Sequence, residues 1–262
     1  MLGYMGCLLG DRRMLEATNM AGDEQQLNDP WKVEGLSREQ VKKAYTPKLY
    51  GSDKSVVELW EGYKLNYTLH DLQIANAELQ NGMFGTANKF KEFIINNCKP
   101  KEEVEVVSWK DTFKVFCNRH KRVKKVAVKY DLFDSASGGI RQITHMKTKA
   151  VADLEGFRRY FVTCLVHNLD GQVANTVAGK CFDKYGFCLD IHDAFIVSPI
   201  AAADVRMWYA EEMDKIYTNR KEILSNFFRS IGIGANAMPE WEAVMDSVVP
   251  VEDFKCRGEV LK

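Results

Sequence analysis

His192 and Asp193 stand together in the middle of the apolar segment CLDIHDAFIVSP, residues 188–199. Ionisable groups inside a segment that would otherwise form a buried strand are unfavourable unless something compensates for their lost hydration. Three interpretations are open: the pair caps a hairpin turn, it is a His-Asp dyad of metal phosphohydrolases, or the turn presents the Asp193 carboxylate to Mg²⁺. The dyad usually lies on a helix with further histidines, whereas both flanks here predict strand. A carboxylate suits Mg²⁺, which keeps water and substrate phosphates as its other ligands.

A second group of residues is spaced four apart in SREQVKKAYTPKLYG, residues 37–51: Arg38, Lys42, Thr46 and Tyr50. This spacing places them along one face of a helix. Two cations followed by an aromatic ring and a glycine suit a nucleotide, since the cations can meet a triphosphate and the ring can meet base or sugar. In isolation, a solvated basic helix face explains the same pattern and is the more common case.

The elements that would position these residues follow from caps and periodicity. Ser37 and Gln40 form a capping box that predicts the start of the basic helix. Gly51 predicts its end, and Pro47 should kink it. Apolar periodicity predicts further helices at 1–20, 54–97 (interrupted by NGMFG at 81–85), 153–168, 171–186 and 201–230.

From about residue 103 the apolar period changes to two, in VEVVSW, TFKVFC, VKKVAVKYDLF and IRQITHMK. With SASGG as a turn, this pattern predicts a small antiparallel β region, and the link NRHKRVKK makes it strongly basic. CLDIHDAFIVSP adds a strand–turn–strand. The fold class is therefore predicted to be α+β and mostly helical.

Composition sets wider limits. The 262 residues are 46% hydrophobic, enough for one large domain or two smaller ones. The 36 basic and 36 acidic residues balance, so bulk charge does not make the whole chain a polyanion-binding module. Seven scattered cysteines without metal-site spacing predict reduced thiols in a cytosol. The apolar N-terminus is short and followed by charge, so neither a signal peptide nor a membrane span is predicted.

The combination of these motifs resembles one polymerase family. Arg38-x3-Lys42-x7-Tyr50-Gly51 followed by the strand-borne His-Asp pair is similar to the finger helix and third palm motif of phage-type single-subunit RNA polymerases, a class shared by small tailed phages and mitochondria. VHNLDG at 166–171, a helix ending in KYG, and then the His-Asp hairpin reproduce the order of the family's last conserved block. The resemblance covers most of the chain and implies right-hand polymerase fingers and palm.

The resemblance implies roles for three charged residues. Asp193 would be one of two metal-binding palm aspartates, with Mg²⁺ as the cofactor. Lys42 and Arg38 would contact the phosphates of the incoming nucleoside triphosphate, and Lys42 would also assist catalysis. Thr46 stands where the family typically has Met, and Pro47 is a further departure that puts the geometry of the finger helix in doubt.

Three more residues would form the nucleotide site by the same resemblance. Tyr50 would lie by the sugar and base, and Gly51 would let the template base approach. His167 falls where the family places a histidine that contacts the ribose 2′-hydroxyl. The other reading of His167 is a histidine favoured by the dipole at a helix C-terminus.

The second catalytic aspartate is not found in the expected order. Asp131 and Asp134 in YDLFDSASGG follow the finger helix, whereas the family's first aspartate precedes it, so DSASGG is better read as a hairpin turn. Residues 1–19 resemble the helix that follows the first aspartate, including the Asp11-to-Asn19 spacing. We expect the missing aspartate upstream of Met1, on a separate subunit or lost from a truncated gene.

The expected organisation is a palm helix at 1–30, fingers at 31–100, a β region at 101–150 and palm at 151–262. The expected function is DNA-dependent RNA synthesis from nucleoside triphosphates in an infected bacterial cytoplasm. It would require a second subunit with the N-terminal domain, thumb and first palm aspartate. Alternatives are a family A DNA polymerase fragment and a non-catalytic remnant that binds nucleic acid through its basic strands. VHNLDG favours RNA synthesis over a family A enzyme. So does Ala194, because an acidic residue typically follows His-Asp in family A.

Overall fold

A computed structural model describes residues 1–22, 28–99, 103–116, 121–134, 138–191, 194–252 and 254–256. It is mostly helical with antiparallel strand pairs, so the predicted α+β class is confirmed at this level. The helices are α1 (Leu2–Leu9), α2 (Arg12–Ala17), α3 (Arg38–Leu49), α4 (Val56–Gly62), α5 (Leu69–Asn81), α6 (Met83–Asn97), α7 (Leu154–Tyr185), α8 (Ala202–Thr218), α9 (Arg220–Ser230) and α10 (Met238–Met245).

The described strands form three separate two-stranded antiparallel sheets. They are β1 (Glu103–Val107) with β2 (Thr112–Phe116), β3 (Lys121–Asp134) with β4 (Gly139–Ala152), and β5 (Leu189–Ile191) with β6 (Ala194–Ile196). The predicted antiparallel β region is therefore confirmed, and β3 and β4 are its longest members at 14 residues each.

The long helix α7 runs through the point where the sequence suggested two helices. Gly171 lies within it, and a glycine inside a helix costs about 1 kcal/mol relative to alanine. A continuous apolar stripe offsets that cost, because every fourth residue along α7 is fully buried. These residues are Phe157, Phe161, Leu165, Leu169, Val173, Val177 and Cys181. The helix ends at Gly186, as predicted, and this glycine takes the left-handed conformation.

The N-terminal helix is buried along its whole length. The family resemblance implies that α1 lacks the strand against which it would pack. Instead, all eight residues of α1 are buried, in contact with α2, α7, α8 and α9. The single helix predicted for 1–20 is also wrong, since Gly10 takes a left-handed conformation and Asp11 starts α2 as its N-cap.

Asp11 and Asn19, whose spacing contributed to the family resemblance, both hold local structure. Asp11 is fully buried and pairs with Arg13 at 2.9 Å. The Arg13 guanidinium also donates to the Thr86 hydroxyl and the Ser247 carbonyl, which joins the N-terminus to α6 and to the segment after α10. Asn19 has a positive φ of 59°. Its side-chain amide donates to the Asn28 carbonyl and accepts from the Asn28 backbone N–H.

The segment after residue 200 forms two helices, α8 and α9, where the sequence predicted one. The helix predicted for 201–230 is interrupted at Asn219, whose side chain donates to the Lys215 carbonyl at 2.7 Å. Buried side chains from both ends of the chain and from α3, α6 and α7 form one connected hydrophobic cluster. No helix in the described ranges is long and apolar enough to cross a membrane.

Candidate functional site

The predicted basic helix is α3, and its start is as expected. Ser37 and Gln40 form a reciprocal capping box. Lys42 is exposed and forms no ion pair with another described residue. Arg38 pairs with Asp29 at 2.8 Å, and both side chains are largely in solvent. Exposed ion pairs contribute little to stability, so a phosphate could replace the Asp29 carboxylate at low cost.

The helix continues through Pro47 to Leu49, and the next residue, Tyr50, is exposed. Thr46, in the middle of the stripe, has a buried hydroxyl without a partner in the described part of the chain. Along the axis, Arg38 lies about 18 Å from Tyr50 at 1.5 Å per residue. The two ends of the stripe therefore have different neighbours: Asp29 lies at Arg38, and His167 lies at Tyr50.

Tyr50 meets His167, the residue that the resemblance also assigned to the nucleotide sugar. The two ring centroids are 5.6 Å apart, with planes inclined by 54°. Both side chains are exposed, so their polar atoms are open to a ligand. The structure thus brings together two predicted site residues from distant parts of the sequence.

Gly51 fixes how closely α3 approaches α7. Its φ is +89°, and an added Cβ would lie 3.0 Å from the backbone oxygen of Arg159. A side chain is therefore excluded both by conformation and by space. The family resemblance implied that Gly51 admits a template base, whereas in this structure the α7 backbone lies against it.

Arg159 of α7 contacts the segment that follows α3. Its guanidinium pairs with Asp53 at 2.6 Å, and this hydrogen bond is the main reason that the pKa of Asp53 lies below its usual value. With Tyr50, Gly51 and Tyr160 these residues line an open depression of about 460 Å³. Arg159 was not among the predicted site residues, although its position about two turns before His167 on one helix could have indicated it.

Two lysines meet at the C-terminal end of α3, Lys48 in its last turn and Lys91 from α6. Lys91 of α6 is buried, and its ammonium donates to the Lys48 carbonyl at 3.2 Å. Burial lowers the pKa of Lys91 to about 8, and the nearby Lys48 charge adds to this effect. A cation at a helix C-terminus interacts favourably with the exposed carbonyls. Lys91 therefore supports the turn that places Tyr50 and Gly51.

His192 and Asp193 lie outside the described residues, so the structure gives no position for the predicted metal ligand. Their flanks are described: Ile191 of β5 pairs with Ala194 of β6, which leaves these two residues as the connection. The predicted strand–turn–strand is therefore confirmed in its strands.

One face of this hairpin carries exposed apolar side chains. Leu189 and Ile196 are paired across the strands and are 47% and 49% exposed. Phe182, Phe187 and Ile200, which precede or follow the hairpin closely in the sequence, are more exposed still. We call these five residues the hairpin face. An exposed apolar group of this kind typically marks an interaction site.

Asp131 and Asp134 lie in β3, and Asp134 pairs with Gly139 of β4. This register agrees with the prediction that DSASGG joins two hairpin strands.

A hydrogen-bonded pair of a buried tyrosine, Tyr4, and a partly buried one, Tyr209, was not predicted. Tyr209 of α8 donates to the Tyr4 hydroxyl at 3.4 Å, and Tyr4 is hydrogen-bonded to Asp170 of α7. Burial, with these two neighbours, raises the pKa of Tyr4. The contact joins α1 and α8 to α7 one turn after His167.

The described residues include no group of three or more His, Cys, Asp or Glu side chains that could hold a metal ion. Comparison of the chain with models of known protein families and with curated proteins finds no match.

Proposed function

We propose that this chain is the fingers-and-palm part of a phage-type single-subunit RNA polymerase. It would act with a second chain that supplies the N-terminal domain, the thumb and the first metal-binding aspartate. The observation that carries the proposal is the contact between Tyr50 and His167. The resemblance assigned both residues to one nucleotide, and a solvated basic helix gives no reason for the two rings to meet.

In the proposed reaction, the 3′-hydroxyl oxygen of the RNA attacks the α-phosphorus of a nucleoside triphosphate. The hydroxyl proton is released, the α-phosphorus–oxygen bond to the leaving group breaks, and pyrophosphate departs. Lys42 and Arg38 would offset the charge that develops on pyrophosphate. Tyr50 and His167 would bond the ribose 2′-hydroxyl, which can both donate and accept. Mg²⁺ held by Asp193 and a partner carboxylate would stabilise the attacking and leaving oxygens.

The hairpin face supports the requirement for a second chain. The β5–β6 sheet has only two strands in the described part of the molecule, and Leu189 and Ile196 are half exposed on it. An added strand would bond the open edge and place its own side chains next to this apolar pair. The partner strand expected to carry the other aspartate fits this position.

A second candidate function is nucleic-acid binding without catalysis. The β3–β4 hairpin carries eight lysines and arginines, five in β3 and three in β4, against two aspartates. In a chain with no net charge, this is a local basic segment suited to phosphates.

The distinguishing experiment is magnesium-dependent extension of a primed template by the chain together with its partner. Asp193→Asn should abolish extension and leave the fold intact. Asp190→Asn, an exposed carboxylate on the neighbouring strand β5, is the matched control and should extend normally. Near-normal extension by Asp193→Asn would reject the catalytic proposal, and template binding without any extension would favour the second candidate.

A further inference from the structure

A cavity of about 690 Å³ lies between the end of α1, α9, α10 and residues 248–251, away from the residues assigned to nucleotide binding. Its walls are mainly apolar. The side chains that matter most are Leu8, Leu9, Leu224, Phe228, Trp241 and Val248.

The floor of the cavity reaches the hydrophobic core. Leu8 and Leu9 belong to the buried helix α1, and Leu224 and Phe228 are buried residues of α9. Water against such walls is unfavourable, and an apolar ligand would release it. The volume falls within the range of about 300–1,000 Å³ that is typical of small-molecule sites.

Every charged side chain that lines the cavity within the described residues is a cation: Arg220, Lys221 and Arg229. None of the three forms an ion pair with a described carboxylate. The cavity therefore combines apolar walls with positive charge that no described carboxylate neutralises.

Arg220 is held in place. Its guanidinium stacks on the Tyr217 ring at 4.0 Å from the centroid and donates to the Tyr217 carbonyl at 2.8 Å. It is half-buried against Gly10, where an added Cβ would lie 3.3 Å from its Nε. An arginine has five N–H donors, so most remain for a ligand. A fixed, partly desolvated guanidinium binds a carboxylate better than a mobile surface lysine does.

We propose that this cavity binds an anionic amphiphile, specifically a long-chain carboxylate. The hydrocarbon chain lies among Leu8, Leu9, Phe228 and Trp241, and the carboxylate meets Arg220. Charge complementarity excludes a cationic amphiphile of equal length. The site is separate from the proposed nucleotide site and does not depend on the polymerase activity.

The test uses dodecanoate as the probe, below its micelle concentration, with the purified full chain at concentrations where sedimentation shows one species. Calorimetry and tryptophan fluorescence should show one dodecanoate per chain. Dodecan-1-ol should bind at least tenfold more weakly and dodecylammonium more weakly still. Ser225→Trp, at an exposed lining position, should block all binding.

Arg220→Gln should weaken dodecanoate binding at least tenfold while leaving dodecan-1-ol binding unchanged. If Arg220→Gln disturbs folding, Lys221→Gln at an exposed lining position is the substitute variant, and it should give a smaller loss of dodecanoate affinity. Arg206→Gln removes an exposed charge outside the cavity and should change nothing. Equal affinity for dodecanoate and dodecylammonium would overturn the proposal. Dimerisation of the chain through this cavity would also overturn it. The evidence would be a doubled mass that returns to the single-chain mass in Ser225→Trp, and no binding of dodecanoate by the wild-type chain.

Discussion

The imidazole of His167 lies 5.6 Å from the ring of Tyr50, centroid to centroid, although the two residues belong to helices far apart in the chain. Gly51 makes this contact possible, because only a glycine lets the end of α3 lie against the backbone of Arg159. If a ribose binds here, its 2′-hydroxyl has two polar side chains within reach. Sugar selection is therefore the first property to test.

Tyr50→Phe should weaken the discrimination between ribo- and deoxyribonucleotides and leave overall extension largely intact. The substitution removes one hydroxyl and keeps the ring that contacts His167. Competition between the two nucleotide types in primer extension is the measurement. Tyr63→Phe is a matched control, since Tyr50 and Tyr63 are both 47% exposed. Unchanged selection in Tyr50→Phe would place sugar choice outside this chain.

Lys42→Ala should reduce nucleotide addition by about 10²-fold or more, as loss of a group that stabilises transition-state charge does elsewhere. Template affinity should barely change. The neighbouring Lys43 lies over the Tyr63 ring at 4.3 Å and serves as the control, so Lys43→Ala should extend normally. If Lys42→Ala lost template binding as steeply as turnover, α3 would be a nucleic-acid contact face instead.

Lys91→Met should stabilise the fold at neutral pH. The fall in the pKa of Lys91 from 10.5 to about 8 corresponds to an unfavourable contribution of about 3 kcal/mol. Below pH 8 both states are protonated and the penalty is complete. Between pH 8 and 10.5 only the unfolded chain stays protonated, so wild-type stability rises with pH in that window.

Urea unfolding at pH 7 and at pH 9.5 measures this effect. The gain in the free energy of unfolding should be on the order of 1–3 kcal/mol at pH 7 and smaller at pH 9.5. Lys89→Met, an exposed lysine on the same helix, should show neither change. A gain that is the same at both pH values would argue that packing, not ionisation, is responsible.

Local signals in the sequence were sufficient for the elements that carry the site. The capping box of Ser37 and Gln40, the end of α3 just before Gly51 and the end of α7 at Gly186 all agree with prediction. Each depends on residues within a few positions of one another. The continuous α7 was missed because Gly171 reads locally as an interruption, whereas packing of the buried stripe decides the outcome.

The parts of the site that were missed depend on contacts between distant segments. Lys91 reads as one more lysine of an amphipathic helix, and only tertiary packing shows that its ammonium is buried under α3. The complete burial of α1 likewise required α7, α8 and α9 to surround it. Side chains paired across long sequence separations leave no local pattern.

The last prediction concerns the second chain. Leu189→Glu combined with Ile196→Lys replaces an exposed apolar cross-strand pair by an opposite-charge pair, which antiparallel strands tolerate. The fold should therefore survive. The wild-type chain alone should be inactive and should self-associate through the hairpin face, and the double variant should self-associate less.

With a polypeptide ending in the aspartate-bearing strand, the wild-type chain should form a stable heterodimer that extends RNA on a primed template. The double variant should fail to assemble, because obligate interfaces are large and apolar. Leu69→Lys, at a leucine that is more exposed but lies on α5, should assemble and extend normally. Sedimentation measures assembly, and extension with and without the partner measures activity.

Robust extension by this chain alone would mean that the second carboxylate is already present. Asp131 and Asp134 would then be the residues to substitute next, and the requirement for a partner would be withdrawn.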